Sequence, residues 1–309
     1  PIYILKYWVF SEKPEFHVIP TDTINIHIDK DALLRSGIML PKTIRHLKGE
    51  DLKDAIPDKL YIPLTDIRML TKVDLLMLEM LANCNWERPL YLAISVGSVS
   101  KLKFDNYFVQ EGLAFRFTPF DYKKWGDVGE NRLYAVDVER LYDNVMNRYK
   151  YGGLDTPGLY LDETTLRTCW YHRRLFAQLA KELIAQGDNE RAKKVLAYAE
   201  QVIPGYNVPE THESGSYDIA TAYAALGEKT KAVTLAVHLI AEAEDYINWA
   251  FSLKGNRIEM VRNDCIYKFW QWNQYNELLK KIDGEKYKES NRRFEEKYAL
   301  FAPTMNYKN

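Results

Sequence analysis

The segment 176–204 has the pattern of two short amphipathic helices joined by a tight turn. In the first helix apolar residues recur three and four positions apart, as on one helix face: Phe176, Leu179, Ala180, Leu183 and Ile184. A second such run follows the Gly187-Asp188 turn and ends at Pro204: Ala192, Val195, Leu196 and Ala199. Such helices need further packed helices to bury a core, so the segment predicts one hairpin of a larger helical array.

A looser copy of this pattern surrounds Gly227, with apolar side chains at Ile219, Ala220, Tyr223, Ala232, Ala236 and Leu239. Both copies resemble tetratricopeptide repeats, whose period is about 34 residues. The turn glycines Gly187 and Gly227 are 40 residues apart, so the connection at 205–215 should carry an insertion. We expect the helix before Phe176 and an amphipathic helix after Arg257 to complete the stack, because about three repeats are needed to bury a core.

The first part of the chain mixes strand and helix signals. Residues 23–28 alternate between apolar and polar side chains, which is typical of a half-buried strand. Residues 60–64 and 89–95 predict two more strands, and Thr71 is the predicted N-cap of a helix between them. Strand, helix and strand within about 35 residues is the spacing of a βαβ unit, so we expect the flanking strands to pair in parallel.

The polar segment 121–135 is the predicted linker, and the signals after it are helical. The sequence therefore predicts an α+β protein: an N-terminal α/β domain at 1–136, followed by all-α tetratricopeptide-like helical hairpins at 137–309. No run approaches the roughly 20 apolar residues of a transmembrane helix. The first residue is Pro1 rather than Met, so we expect the chain to be a piece of a longer protein.

Composition and cysteine spacing restrict the possible functions. Lys and Arg number 42 against 43 Asp and Glu, so the chain lacks the basic surplus of a general nucleic-acid binder. Cys84, Cys169 and Cys265 are far apart, which argues against a disulfide framework or a zinc site. We find no complete catalytic set and expect no catalytic residue, metal or cofactor in this chain.

Two short motifs have both a functional and a structural interpretation. Asp29-Lys30-Asp31 matches the DxD pattern with which nucleotide-sugar transferases hold a divalent metal. The alternative, which we favour, is that Asp29 caps a helix and Asp31 lies near its positive end. His212-Glu213 begins a zinc-binding HExxH motif, but Ser216 stands in place of the second histidine.

The turn between the predicted helix and the strand at 89–95 is rich in large polar side chains. Asn85, Trp86 and Arg88 lie together there and are candidates for a secondary surface site. The structural alternative is that Asn85 ends the helix, Trp86 fills the core and Arg88 pairs with an acid.

Three ordered stretches resemble one known family. They are 85–91 (NWERPLY), 107–119 (YFVQEGLAFRFTP) and 142–163, which contains GGLD and YLDE. They resemble the soluble C-terminal part of Bacteroidetes multi-pass membrane proteins in the family called domain of unknown function 2723, which is similar to protein O-mannosyltransferases. The resemblance implies a location on the periplasmic side of the inner membrane. It also implies that the catalytic acids lie in the membrane part, so none is carried over to this chain.

The resemblance implies a non-catalytic accessory domain that holds an acceptor protein or peptide, or supports the transferase through its own N-terminal membrane domain. By similarity to other such repeats, the first helix of each hairpin lines a groove, at Arg174, Ala177, Lys181, Tyr217 and Thr221. Arg174 and Lys181 would bind an acidic peptide, or are ordinary solvated charges. Two other functions stay open: a sugar-nucleotide-binding enzyme using Asp29 and Asp31, and a purely structural repeat scaffold.

Overall fold

The computed structural model describes residues 21–305, except 66, 68, 97–101, 103, 130–133 and 255–256. The chain divides into two compact units, Pro1–Asn144 (unit 1) and Val145–Asn309 (unit 2). Helices make up 57% of the structure, and the sheets are small and lie in the N-terminal part. The predicted α+β class is therefore confirmed.

Unit 1 contains two small sheets. In the first, β1 (Thr23–His27) and β2 (Lys59–Pro63) pair antiparallel. The second has the order β3-β5-β4-β6, in which only the β4–β6 pair is parallel. Its strands are β3 (Tyr91–Ala93), β4 (Phe108–Gln110), β5 (Ala114–Phe117) and β6 (Ala135–Val136). The helices of unit 1 are α1 (Lys30–Arg35), α2 (Gly49–Ala55), α3 (Lys72–Asn83) and α4 (Val138–Asp143).

The parallel βαβ pairing expected around α3 is wrong. The helix begins as predicted, because the Thr71 and Asp74 side chains each accept the other's backbone N–H. The strands on either side of it, β2 and β3, nevertheless belong to different sheets. Buried Leu60 and Ile62 alternate with exposed residues in β2, and the pairing of β2 with β1 gathers these apolar side chains on one face.

The prediction of a linker at 121–135 is also wrong for residues 121–129, which the structure describes. Tyr122 is fully buried, and its hydroxyl donates to the carbonyl oxygen of Met39 at 2.5 Å. Asp127 accepts a hydrogen bond from the backbone N–H of Lys42 at 3.0 Å. Residues 121–129 therefore pack onto unit 1, with Asp121, Tyr122 and Val128 buried, and 130–133 lie outside the described residues.

The turn after α3 is a packed corner. Asn85 and Trp86 have φ values of 47° and 59°, so the chain turns sharply there through left-handed backbone. The Trp86 indole is 6% exposed, donates to the His27 carbonyl at 2.8 Å and stacks on Phe117. Trp86 therefore joins the two sheets in the core, as the structural interpretation predicted, and is not a surface residue. Asn85 and Arg88 are exposed.

A buried ion-pair network holds the second sheet to its surroundings. The Glu111 carboxylate accepts from Arg140 at 3.0 Å and from the Tyr91 hydroxyl at 2.8 Å, and lies 3.6 Å from Arg116. Arg116 also donates to the carbonyl of Ser36 at 2.9 Å. Because Arg116 is almost fully buried and Glu111 is the carboxylate beside it, loss of the Glu111 side chain would leave the Arg116 charge uncompensated.

The two aspartates of the DxD pattern have structural partners. Asp29 is the N-cap of α1 and accepts from the backbone N–H of Ala32 at 2.9 Å, as the helix-cap interpretation predicted. Asp31 lies 2.8 Å from Lys53, and this interaction lowers the pKa of Asp31. Within the described residues, no group of three or more His, Cys, Asp or Glu side chains is placed to hold a metal ion.

A π-helical turn at Asn144–Arg148 follows α4 in the chain. Unit 2 is a stack of helices. The helix α5 packs against α6 and α7, α8 packs against α7 and α10, and α10 packs against α11. Their bounds are α5 (Glu163–Ala185), α6 (Asn189–Val202), α7 (Ser216–Ala225), α8 (Lys229–Ser252), α9 (Arg257–Met260), α10 (Arg262–Ile282) and α11 (Gly284–Met305). Among the described helices none is both long and apolar enough to cross a bilayer.

The helix pairs predicted from the apolar spacing are present. Gly187 and Gly227 have φ values of 81° and 79° and form the turns after α5 and α7, a conformation that glycine adopts without strain. The side chains of four alanines in the seams between these helices are fully buried: Ala180, Ala192, Ala220 and Ala232. Small residues in these seams let the helix axes approach closely.

We predict that Ala192→Phe destabilises unit 2. Ala192 is fully buried where α6 meets α5, and added side-chain volume in a packed core costs about 1–3 kcal/mol or more. Ala197→Phe is the control, because Ala197 lies on the exposed face of the same helix. Thermal and urea unfolding would measure both. Equal stability of Ala192→Phe and the parent would contradict this helix pairing.

Candidate functional site

The residues 203–215 that join α6 to α7, here called the connection, are held by one buried cation. The Arg173 side chain on α5 is 3% exposed. It donates to the carbonyl oxygens of Ile203, Val208 and Pro209 at 3.0, 2.6 and 2.7 Å, and to Ser214 Oγ at 3.0 Å. Burial lowers the pKa of Arg173 to about 10, so the guanidinium is still charged at neutral pH.

The neighbouring Arg174 holds the far end of the connection. Its Nε donates to the Glu213 carbonyl at 2.6 Å, and a terminal guanidinium nitrogen donates to the same oxygen. Gly215 has a φ of 84°, and a Cβ atom there would lie 2.9 Å from Arg174 Cγ. Only glycine therefore fits where the connection crosses Arg174 and α7 begins.

The connection carries His212 into a cluster of aromatic rings with α7 and α10. The imidazole is parallel to the Tyr217 ring at a centroid distance of 5.7 Å. It is edge-on to Tyr267 and Trp270, at 6.1 and 5.6 Å, and its Nδ1 lies 2.8 Å from the Tyr275 hydroxyl oxygen. These five residues are called the aromatic site below.

The aromatic site has a charged edge. Burial lowers the pKa of His212, so the imidazole is neutral at pH 7. Burial opposes ionisation of Glu213, but its own backbone N–H, the charge of Lys268 and a hydrogen bond from Gln271 at 3.0 Å outweigh it and lower the Glu213 pKa. A neutral imidazole and an ionised carboxylate therefore lie side by side.

Two rings of the aromatic site face solvent. Tyr267 and Trp270 are 43% and 49% exposed, and they stack with a centroid distance of 5.6 Å and an interplanar angle of 12°. Rigid, partly exposed rings with polar groups at their edge give large contact area at a low cost in conformational entropy. The arrangement is suited to binding another molecule.

The five predicted groove residues are placed differently from one another. Tyr217 belongs to the aromatic site, and Arg174 contacts the connection beside it. Lys181 is exposed on α5, and Thr221 Oγ1 donates to the Asp218 carbonyl of its own helix at 2.8 Å. The prediction that Ala177 lines a groove is wrong, because its side chain is only 2% exposed. The helix α5 packs against both α6 and α7, so it buries a wider stripe than a single hairpin requires.

The sequence interpretation did not identify four residues of the aromatic site: His212, Tyr267, Trp270 and Tyr275. The sequence contains a pattern from which Tyr267 and Trp270 could have been predicted. Tyr267 and Trp270 are three positions apart and lie off the apolar stripe formed by Cys265, Phe269 and Trp272. Aromatic residues on the polar face of an amphipathic helix are candidates for an interaction surface.

One comparison with known proteins gives a match. A family model described as TMEM260-associated domain 2 matches residues 5–139, which is less than half of the 309-residue chain. This stretch contains the Trp86 corner and, of the ion-pair network, Tyr91, Glu111 and Arg116, whereas Arg140 lies one residue beyond it. The family is linked to membrane glycosyltransferase-like proteins. No curated protein and no solved structure shows a match to this chain.

We expect Arg173→Met to loosen the connection. The variant keeps an aliphatic side chain but leaves three buried carbonyls without their donor, and each such loss costs about 1–3 kcal/mol. The unfolding free energy of unit 2 should fall by about 3 kcal/mol or more, and amide hydrogen exchange in 203–215 should accelerate. Lys181→Met, an exposed cation on the same helix, should change neither. Parent-like exchange in Arg173→Met would refute this role.

The His212 imidazole should titrate below 6.5, its usual pKa, because burial penalises the cation more than Glu213 and Asp218 stabilise it. The unfolded chain then binds this proton more tightly than the folded one. The contribution of neutral His212 to the unfolding free energy is therefore fully present above pH 6.5. It is lost as the pH falls through the lowered pKa of the folded state.

Nitrogen-15 NMR of the labelled imidazoles measures this titration. In Tyr217→Leu, which removes a ring that covers His212, the midpoint should move towards 6.5. A midpoint above 6.5 in the parent would show that the imidazole is not in the buried environment described.

Proposed function

We propose that this chain is a non-catalytic, extracytoplasmic accessory domain of a membrane glycosyltransferase-like protein, and that unit 2 holds the polypeptide acceptor. The observation that carries the binding role is the exposed Tyr267–Trp270 pair beside neutral His212 and ionised Glu213. On this proposal the chain lies on the periplasmic side of the inner membrane. It follows a multi-pass membrane part of the domain of unknown function 2723 type in a Bacteroidetes protein.

The match over residues 5–139 supports the link to a membrane glycosyltransferase-like protein. On this proposal unit 1 is the part that works with the protein's own membrane domain. Its buried charges are paired internally, since Arg116 and Arg140 both form ion pairs with Glu111. A supporting role needs this stable scaffold and does not need chemistry in the chain itself.

We also propose that the helices of unit 2 form tetratricopeptide-like repeats. Left-handed glycines after α5 and α7, and buried alanines in the seams, support it. In such repeats a first helix of each pair faces the ligand. The contact of the Tyr217 ring on α7 with His212 of the aromatic site supports this orientation of α7.

The rival enzyme function, which uses Asp29 and Asp31 to bind a metal and a sugar nucleotide, has less support. One carboxylate is the cap of α1 and the other is paired with Lys53. Both would have to give up these partners to coordinate a cation together. A purely structural scaffold would leave the exposed aromatic pair without a role.

We expect the double variant Tyr267→Ala with Trp270→Ala to lose acceptor binding. Exposed aromatic anchors usually contribute most of the binding energy of an interface, so affinity for unmodified acceptor peptides should fall by about ten-fold or more. Calorimetry with the purified chain would measure affinity, and glycan transfer would be measured in the full-length protein.

Trp249→Ala is the matched control, because Trp249 on α8 is also 49% exposed and lies outside the aromatic site. The affinity of Trp249→Ala for the acceptor peptides should stay within about two-fold of the parent value. Unchanged peptide affinity in the double variant would remove the aromatic site from the proposal. Turnover of a glycan donor by the isolated chain would contradict the non-catalytic role.

A further inference from the structure

A cleft of about 390 Å³ lies between α6, the connection, α7 and α8. Its volume is in the range of small-ligand sites. Apolar side chains form much of its lining: Leu196, Ala199, Ile203, Ile219 and Leu235. Polar groups of Arg173, Glu200, Glu210, Tyr223 and Lys231 also border it.

Most of the charged groups of the cleft already have partners. Arg173 donates to four oxygens of the connection. Glu200 accepts from the Tyr223 hydroxyl at 2.5 Å and from Lys231 at 2.8 Å. Both cations of the cleft are therefore engaged, and one of its two carboxylates is neutralised.

Glu210 differs from the other charged groups. Its side chain is partly buried and packs over Gly205, where a Cβ atom would lie 3.3 Å from Glu210 Cγ and Cδ. It is close enough to Arg173 and Tyr223 to influence both electrostatically. Yet none of the described residues donates a hydrogen bond to its carboxylate. A partly buried carboxylate that accepts no hydrogen bond from the described residues can accept one from a cationic donor.

We propose that this cleft binds a basic side chain, lysine or arginine, of a polypeptide ligand, with Glu210 as its ion-pair partner. The apolar lining accommodates the methylene stem, and the charged head reaches the Glu210 carboxylate. An anion fits less well, because it would face the Glu210 carboxylate and would have to displace Lys231 from Glu200. That the basic group belongs to a polypeptide rests on the proposed function, whereas its ion pair with Glu210 does not.

Methyl NMR of the full chain provides the test. The probe is Nα-acetyl-lysine methylamide, and Nα-acetyl-norleucine methylamide, which has the stem without the charge, is the control ligand. We expect the lysine probe to shift the Ile203 and Leu235 methyl signals saturably at concentrations up to about 10 mM, and the control to bind about ten-fold more weakly or not at all. Putrescine tests for a free polyamine in place of a peptide side chain.

Glu210→Gln should weaken the lysine probe by about five-fold or more, and Glu190→Gln, a carboxylate on α6 that is 84% exposed and outside the cleft, should not. Equal affinity in Glu210→Gln, tighter binding of putrescine than of the lysine probe, or the same shifts with inorganic phosphate would overturn the assignment. These outcomes leave the aromatic site untested, and its own variants decide the proposed function separately.

Discussion

The path of the connection in unit 2 depends on the buried guanidinium of Arg173. Hydrogen bonds from a charged donor contribute about 1.5–3 kcal/mol each to stability, and Arg173 makes four of them to one segment. The connection has little regular structure, so these bonds determine its path. Glu210 reaches the cleft and His212 reaches the aromatic site from this one segment, and Arg173 therefore positions both.

Unit 1 uses a buried charge in a similar way. Glu111 and Arg116 compensate each other in the core and tie the second sheet to α4 and to the end of α1. The family match falls on this unit, whereas the aromatic site is in unit 2. On the proposed function, unit 1 carries the link to a membrane glycosyltransferase-like protein and unit 2 binds the partner.

Local patterns predicted the helices of unit 2 because helical periodicity and glycine turns are properties of neighbouring residues. The apolar stripe of 176–199 and Gly187 were sufficient to place α5, the turn and α6. Strand pairing was not predictable in the same way, since β2 finds its partner β1 across two helices. The prediction that Ala177 lines a groove was wrong for a related reason. Ala177 is buried because α5 also packs against α7, and α7 is not part of the α5–α6 hairpin.

The aromatic site could be predicted only in part. Tyr217 was identified from the repeat pattern, but His212 meets Tyr275 across 63 residues of sequence. That contact requires the connection to fold back under Arg173, and no local periodicity encodes this path. The incomplete HExxH pattern predicts no role for His212 without a second histidine, whereas in the structure His212 packs among aromatic rings.

Site-specific photo-crosslinking in the full-length protein tests the central claim most directly. A benzophenone amino acid at position 270 should capture the acceptor polypeptide in membranes that are active in glycan transfer, and the same group at position 249 should not. Equal capture at both positions, or capture at neither while acceptors are being modified, would contradict the account of unit 2 as the part that holds the acceptor.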